Sequence, residues 1–252
     1  MLPMFNLRSW LNALGFGEVR CCHCDSPYFK TSAGQKYLCK DCQIELAPYI
    51  GPRCSLCGLP YDSIDQDYQQ AASDRPLRKE CPSCRKTAPA WSNIAYHGLY
   101  EGALRDLLLR FKFDGELILG RTLAEFMLQA ASCLNAPDAL VPIPQHPAHL
   151  RKRGYNQAHE LARTIARIGN LPLKSHFLKR VSQQRIQEGL TAEQRRQNLA
   201  NAFTASDAVG NLHIWLIDDV MTTGSTCQAA SNALISKGVN RISVLVCART
   251  SL

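Results

Sequence analysis

The chain has 252 residues, 46% of them hydrophobic and 20% charged, with a formal net charge of +8. That length allows one large or two modest domains with an ample core, and the composition is that of a soluble globular chain. No run approaches the roughly 18 consecutive apolar residues of a membrane span, so a spanning segment is excluded.

The first twenty residues are mildly apolar, with Phe5, Trp10, Leu11 and Leu14 on one helical face. Arg8 and Asn12 interrupt that face. No basic start precedes it and no small-residue cleavage site follows. We read a short helix packed on its own protein, with a membrane-surface helix as the minor alternative. Without a secretory signal the expected compartment is the reducing cytoplasm.

Eight of the twelve cysteines form four Cys-x-x-Cys pairs: Cys21/Cys24, Cys39/Cys42, Cys54/Cys57 and Cys81/Cys84. Two residues between thiols let both grip one ion from a tight turn, and tetrahedral zinc takes four thiolates. Fourteen residues separate the first pair from the second, and twenty-three the third from the fourth. These gaps suit two consecutive structural zinc ribbons in an N-terminal domain over 1–90, with an interleaved cross-brace as the alternative pairing. So short a region has little core, and metal binding would supply its folding energy. Disulfides need a secretory route, and redox Cys-x-x-Cys normally occurs once, beside a βαβ pattern. Cys22, Cys133, Cys227 and Cys247 read as unpaired thiols, and His23 as a bystander.

A second domain, 91–252, begins where periodic apolar segments replace turn-rich ones. Leu104, Leu107, Leu108 and Phe111 keep helical spacing, as do Leu123, Phe126, Met127 and Ala130. Leu140 to Ile143 reads as a short buried strand, its prolines fitting a strand end. Arg151, Lys152 and Arg153 follow, then Gly154, Tyr155, Asn156 and Gln157 at a helix start. Cations beside free N–H groups suit a diphosphate, although a basic loop is also compatible with plain solvation. Asn156 to Ile168 is helical, Phe177 to Val181 reads as a strand, and Thr191-x-x-Gln194 as a capping box opening a helix toward Leu199.

Ile214 to Ile217 is a buried strand that leads into Asp218 and Asp219. The loop Thr222, Thr223, Gly224, Ser225 and Thr226 then opens a helix that runs to Lys237, with Gly238 as its cap. Small residues at a helix start let backbone N–H groups approach a phosphate, and acids at a strand's carboxyl end suit ribose hydroxyls. Ile242 to Cys247 closes the chain as a strand. Strands alternating with helices imply an α/β fold, a parallel sheet flanked by helices on both faces. Between 151 and 200 there are eleven Lys or Arg against three Glu, so this segment alone equals the net charge. Such a field favours polyanions or several phosphates and does not by itself separate nucleic acid from a diphosphate.

The strand, two acids and Thr-Thr-Gly-x-Thr resemble the phosphoribosyl-diphosphate (PRPP) motif of type I phosphoribosyltransferases. Taken in order, the cysteine ribbons, Lys112-Phe113-x-Gly115, Val141-Pro142-Ile143-Pro144, Arg153-Gly154-Tyr155-Asn156-Gln157, Gln187-x-x-Leu190-x-x-x-x-Arg195-x-x-Asn198-Leu199-x-x-Ala202-Phe203 and the PRPP motif resemble the ComF/GntX family. That resemblance implies a type I phosphoribosyltransferase-like domain behind four-cysteine zinc ribbons. It implies PRPP bound with magnesium at Asp218–Thr226, Arg153 to Gln157 near the diphosphate, and Gln187 to Arg195 on a mobile loop. It also implies a cytoplasmic role in natural transformation, with single-stranded DNA and other transformation proteins as partners. Arg151, Lys152, Arg153, Arg195 and Arg196 are the candidate DNA contacts. Alternatives are an active phosphoribosyltransferase with an unknown acceptor, or a binding scaffold without turnover. Thr222 stands where several purine-salvage enzymes carry a third acid, so no general base is evident; Glu160, Glu188 and His159 read as solvated.

Overall fold

A computed structural model describes residues 18–29, 37–61, 80–181 and 202–251. The Gln187, Arg195 and Arg196 candidates, Glu188, the helix expected from Thr191 and the apolar first segment lie outside these residues. Contacts group the chain into two units, Met1–Ala47 and Pro48–Leu252. The cysteine-rich region expected over 1–90 therefore contributes one tetrad to each unit.

In the first unit, β1 (Glu18–Arg20) and β2 (Pro27–Phe29) form an antiparallel pair, and the six-residue helix α1 (Lys40–Glu45) follows. The turn between the strands is closed by the Cys21 N–H on the Ser26 carbonyl, 3.0 Å, and by the Asp25 N–H on the Cys21 carbonyl, 3.0 Å. Asp25 adopts a positive φ of 59° there, a conformation Asp tolerates in turns.

The second unit opens with a turn over Cys54–Cys57 and a short helix, α2 (Pro82–Lys86). A five-stranded parallel sheet follows. Its strands are β3 (Asn93–Leu99), β4 (Ala139–Pro142), β7 (His213–Ile217), β8 (Val220–Met221) and β9 (Arg241–Arg249). The order is β3-β9-β7-β4, with β8 also paired to β9. Between β3 and β4 lie α3 (Gly102–Phe113) and α4 (Leu119–Ala130); α5 (Pro147–Arg153) and α6 (Gln157–Gly169) follow β4; α7 (Ser225–Ile235) joins β8 to β9. A separate antiparallel pair, β5 (Leu178–Arg180) with β6 (Phe203–Ala205), packs against α7.

Period-two alternation explains the two-sided core. Val141, Ile214, Leu216, Val244 and Val246 share a cluster with Ala229, Ala230 and Leu234 of α7. The intervening Leu140, Trp215, Ile217, Leu245 and Cys247 are equally buried, and α4 and α6 pack on this sheet through β3, β9, β4 and β7. Strands covered on both faces read as continuous apolar runs, and the expected α/β parallel sheet flanked by helices is present.

Two local expectations need correction. Leu178–Arg180 is a strand but pairs with Phe203–Ala205 outside the parallel sheet. The three cations 151–153 are not part of a loop: they form the last turn of α5, which Gly154 ends at φ +80°, while the helix start expected at Asn156 and Gln157 is present, with Asn156 capping α6. Cations there complement the negative end of the helix dipole. Strand β3 is not apparent from periodicity, because Tyr96 and His97 break its apolar run.

Candidate functional site

The carboxyl ends of β4 and β7 meet at one edge of the sheet, the edge where open α/β sheets bind ligands. Asp218 and Asp219 leave β7 there. The Asp218 N–H is still held by the Leu245 carbonyl at 3.2 Å, and the Asp219 carbonyl accepts from Cys247 and Ala248 at 3.0 and 3.2 Å. The backbone of the acid pair is therefore fixed by β9. Their side chains also cap their own turn: the Asp219 N–H donates to Asp218 Oδ1 at 2.9 Å and the Val220 N–H to Asp219 Oδ1 at 2.7 Å.

Lys112, the penultimate residue of α3, reaches across to Asp219, with Nζ 2.8 Å from Oδ2 and side chains 15% and 10% exposed. Its backbone carbonyl accepts from Gln157 Nε2 at 3.4 Å. Tyr155 donates its hydroxyl to the neighbouring Phe111 carbonyl, and the Arg153 guanidinium lies 4.7 Å over the Phe113 ring. Asn156 Nδ2 donates to the Ile143 carbonyl at 3.0 Å. The Lys112-Phe113, Ile143 and Arg153–Gln157 motifs, far apart in sequence, thus converge beside the acid pair. Gln157 is fully buried in this network, while Arg151, Lys152 and Gly154 are exposed.

The Thr222–Thr226 loop follows β8. Gly224 has φ +80° and caps α7 without a side-chain bond, and a Cβ on it would stand 3.3 Å from Trp91 Cη2. Both facts call for glycine. Thr222, Thr223 and Ser225 are exposed, and the Ser225 N–H is turned onto Thr223 Oγ1 at 3.3 Å. A loop of this shape offers hydroxyls and helix-start N–H groups to an anion.

The electrostatics are set by enclosure. Burial, and then the charge of Asp219, pushes Asp218 up to about 8. Arg180 of β5, lowered by its own burial, is held charged in part by Asp218. Arg153, Arg180 and Lys152 all act on His149 of α5, whose pKa is lowered by burial first and then by these cations. Lys112 and Arg180 thus supply the positive charge next to the carboxylates.

Sequence reasoning did not place Lys112, Arg180 or Arg249 at the site. Lys112 stood out in the Lys112-Phe113-x-Gly115 motif, but without a partner or a role at the acid pair. Arg249 ends β9 fully buried, and donates to the carbonyls of Cys57, Met221, Thr222 and Thr250. A charged residue terminating an apolar strand was the available signal.

The cysteines resolve into Cys21, Cys24, Cys39 and Cys42, and Cys54, Cys57, Cys81 and Cys84. Within each tetrad the sulfurs lie within 4.8 Å of one another, which settles the pairing as sequential. Sulfur pairs Cys24–Cys39 and Cys57–Cys81 are both 3.7 Å apart. A tetrahedral ion with bonds of about 2.3 Å to sulfur needs edges of roughly 3.8 Å, so both tetrads can hold a metal of zinc's size and preference. Hydrogen bonds from the Ser26 side chain and backbone pull the Cys24 thiol down to about 6, leaving a thiolate ready for a cation. His23 Nδ1 lies 3.3 Å from Cys42 Sγ, beside the first tetrad rather than in it. No helix among the described residues is long and apolar enough to cross a membrane.

No family model matches the chain. It is similar to "DNA utilization protein YhgH" of Salmonella typhimurium, 29% identical over 203 residues that cover 78% of this chain and 84% of that one. It is similar to "Competence protein ComFC" of Bacillus subtilis, 27% identical over 237 residues, 89% of this chain and 92% of the other. Among solved structures it is similar to the allosteric regulatory enzyme of purine biosynthesis, at TM-score 0.36 and 17% identity, over half of this chain and a quarter of that one. A purine phosphoribosyltransferase from Pyrococcus horikoshii aligns at TM-score 0.28 and 18% identity, over 53% of this chain and 70% of that one. Competence protein F of Haemophilus influenzae is 34% identical over 245 residues, 94% of this chain and 99% of its own, and the chain belongs to this competence protein F (ComF) family.

Proposed function

We propose that the second unit binds PRPP with magnesium at Asp218–Thr226, and that the protein serves natural transformation by handling incoming single-stranded DNA in the cytoplasm. The observation that carries the ligand reading is the acid pair, half-buried Asp218 and buried Asp219 with Lys112 paired to the latter, beside a glycine-hinged loop at the sheet's ligand edge. In this reading the 5-phosphate sits on the N–H groups at the start of α7, and the Asp218 and Asp219 carboxylates accept from the ribose hydroxyls. Arg153 and Arg180 face the diphosphate. Magnesium would be held by ligand oxygens and water, as that ion keeps several waters and takes few carboxylates.

The role in DNA handling is supported by the relatives, which are competence and DNA utilization proteins by name, and by the exposed Arg151 and Lys152 on α5. Gln187 and Arg195 are candidates by family resemblance and Arg196 by charge, and all three lie outside the described residues. Both tetrads are proposed as structural zinc sites, closed by four thiolates each. Turnover would displace the diphosphate at the ribose C1, with the cations stabilising it as it leaves. The acceptor side offers no evident base, so a binding role without turnover is the second reading, with other transformation proteins as further partners.

Titration calorimetry of PRPP with magnesium tests this on the wild type and on Asp218→Ala/Asp219→Ala. Heat lost only in the double variant supports the site. A well-folded wild type that gives no heat refutes it and makes single-stranded DNA the leading ligand.

A further inference from the structure

Strand β9 is nine residues long and β7 only five, and Ile217 pairs with Leu245. The rest of β9 overshoots β7 toward the ligand edge. Its last residue, Arg249, pairs with Leu99 on one side and Met221 on the other, which plants a guanidinium directly beneath the Thr222–Thr226 loop. The side chain is 2% exposed. From Nη1 it donates to the carbonyls of Met221, at 3.2 Å, and Thr222. From Nε it donates to the Cys57 carbonyl at 3.1 Å. Nη1 also donates to the Thr250 carbonyl at 2.8 Å and to its hydroxyl at 3.2 Å; all the partners are neutral oxygens, so the buried charge is solvated by dipoles of the loop, of a turn of the second cysteine tetrad and of Thr250.

Trp91 repeats the connection. Its Nε1 donates to the Leu56 carbonyl at 2.7 Å, and its six-membered ring closes on Gly224. The turn is further seated on the sheet, since a Cβ on Gly58 would stand 2.7 Å from the Tyr96 ring. Consecutive carbonyls of the Cys54–Cys57 turn are therefore held by two side chains that also hold the loop.

We propose that metal loading of the Cys54/Cys57/Cys81/Cys84 tetrad sets the anion affinity of the Thr222–Thr226 loop, with Arg249 and Trp91 as positioning residues that carry the coupling. The inference rests on the phosphate-site reading of that loop. The physical reason is peptide planarity: a trans peptide points its C=O and N–H in opposite directions. Arg249 draws the Met221 and Thr222 carbonyls inward, so the N–H groups of Thr222 and Thr223 point away from it, toward the exposed side. The turn that supplies the Cys57 carbonyl is closed by few bonds of its own, Gly58 N–H to Cys54 at 2.9 Å and Cys54 N–H to Leu59 at 2.8 Å. Metal–thiolate bonds hold such turns, and without them the carbonyl is lost. A buried guanidinium deprived of one acceptor takes another from the loop, which turns the loop's N–H groups out of register.

The test uses full-length protein with zinc content measured alongside. Cys84→Ser should lose one zinc and weaken PRPP binding about tenfold or more, the scale of one charge-assisted hydrogen bond. Cys24→Ser should also lose one zinc, with a clearly smaller effect on PRPP. Arg249→Lys should keep both zincs, weaken PRPP about tenfold, and reduce the further effect of Cys84→Ser to less than additive, the remainder passing through Trp91. Hydrogen exchange gives a reading independent of ligand: the loop's bonded amides, Ser225 N–H on Thr223 Oγ1 at 3.3 Å and Thr250 N–H on the Met221 carbonyl at 3.1 Å, should lose protection in Cys84→Ser and Arg249→Lys. Additive effects of the two substitutions, or unchanged loop exchange in a folded Cys84→Ser, overturn the coupling. Should Cys84→Ser not fold, unchanged PRPP affinity and loop exchange in Arg249→Lys overturn it. A folded wild type that does not bind PRPP defeats the site reading instead, and loop exchange still decides the coupling.

Discussion

Replacing Lys112 by Met tests the electrostatic account of the acid pair. Methionine keeps the length and most of the apolar stem of lysine, so the substitution removes charge with little change in packing. With Nζ 2.8 Å from Asp219 Oδ2, the attraction is about 6 kcal/mol at an effective dielectric of about 20. Desolvation of both groups offsets much of that. Breaking a buried pair nevertheless costs roughly 3–5 kcal/mol, because a buried carboxylate is left unpaired. Lys112 is also one of the charges that hold Asp218 down, so its loss penalises both acids. Urea unfolding of Lys112→Met should therefore show about 3 kcal/mol of destabilisation. In an Asp219→Asn background the same change should cost less than about 1 kcal/mol, a coupling of about 2 kcal/mol. Equal costs in both backgrounds would refute the pairing as the source of stability and reassign Lys112 to packing.

Asp218→Asn should stabilise the ligand-free protein, and more at pH 8 than at pH 5. The raised carboxyl holds a proton in the folded state that the unfolded chain gives up above its ordinary value of 3.8, so stability falls as pH rises from there to about 8. Parallel melting curves across that range for variant and wild type would contradict this. Gly224→Val puts a β-branched residue at φ +80° against the Trp91 ring, and should cost about 1–3 kcal/mol while abolishing PRPP heat; unaltered binding would remove the loop from the site. Arg151→Ala and Lys152→Ala should each weaken single-stranded DNA binding uniformly across sequences and reduce the salt slope by about 1. A filter-binding affinity that is flat with salt in the wild type would eliminate α5 as a DNA surface.

Local chemistry is legible wherever a short run carries its own geometric requirement. The apolar run Ile214–Ile217, the acids and the glycine-hinged loop each announce a strand end, a charge and a helix start, and they fold as β7, the acid turn and α7. Four Cys-x-x-Cys pairs specify two metal-sized tetrads, because the spacing of each pair fixes a turn. The sequence leaves the pairing of those pairs open, since loop closure over either set of gaps costs nearly the same, and tertiary contacts make it sequential. Strand β3 and the β5–β6 pairing are not legible for a similar reason: three- to seven-residue segments owe their state to the neighbours they bond.

The α/β class, the two cysteine tetrads able to hold a metal and the glycine-hinged loop at a helix start follow from the amino-acid sequence alone, because each is written in residues close together in the chain. That Lys112 neutralises Asp219, that Arg180 interacts with Asp218, and that Arg249 ties the loop to the second tetrad all emerge from the folded arrangement. Those contacts join residues from about 30 to 190 positions apart. Such pairs have no local signature, since a lone Lys at a helix end or Arg at a strand end is compatible with solvent until the sheet order places an acid or a carbonyl opposite it.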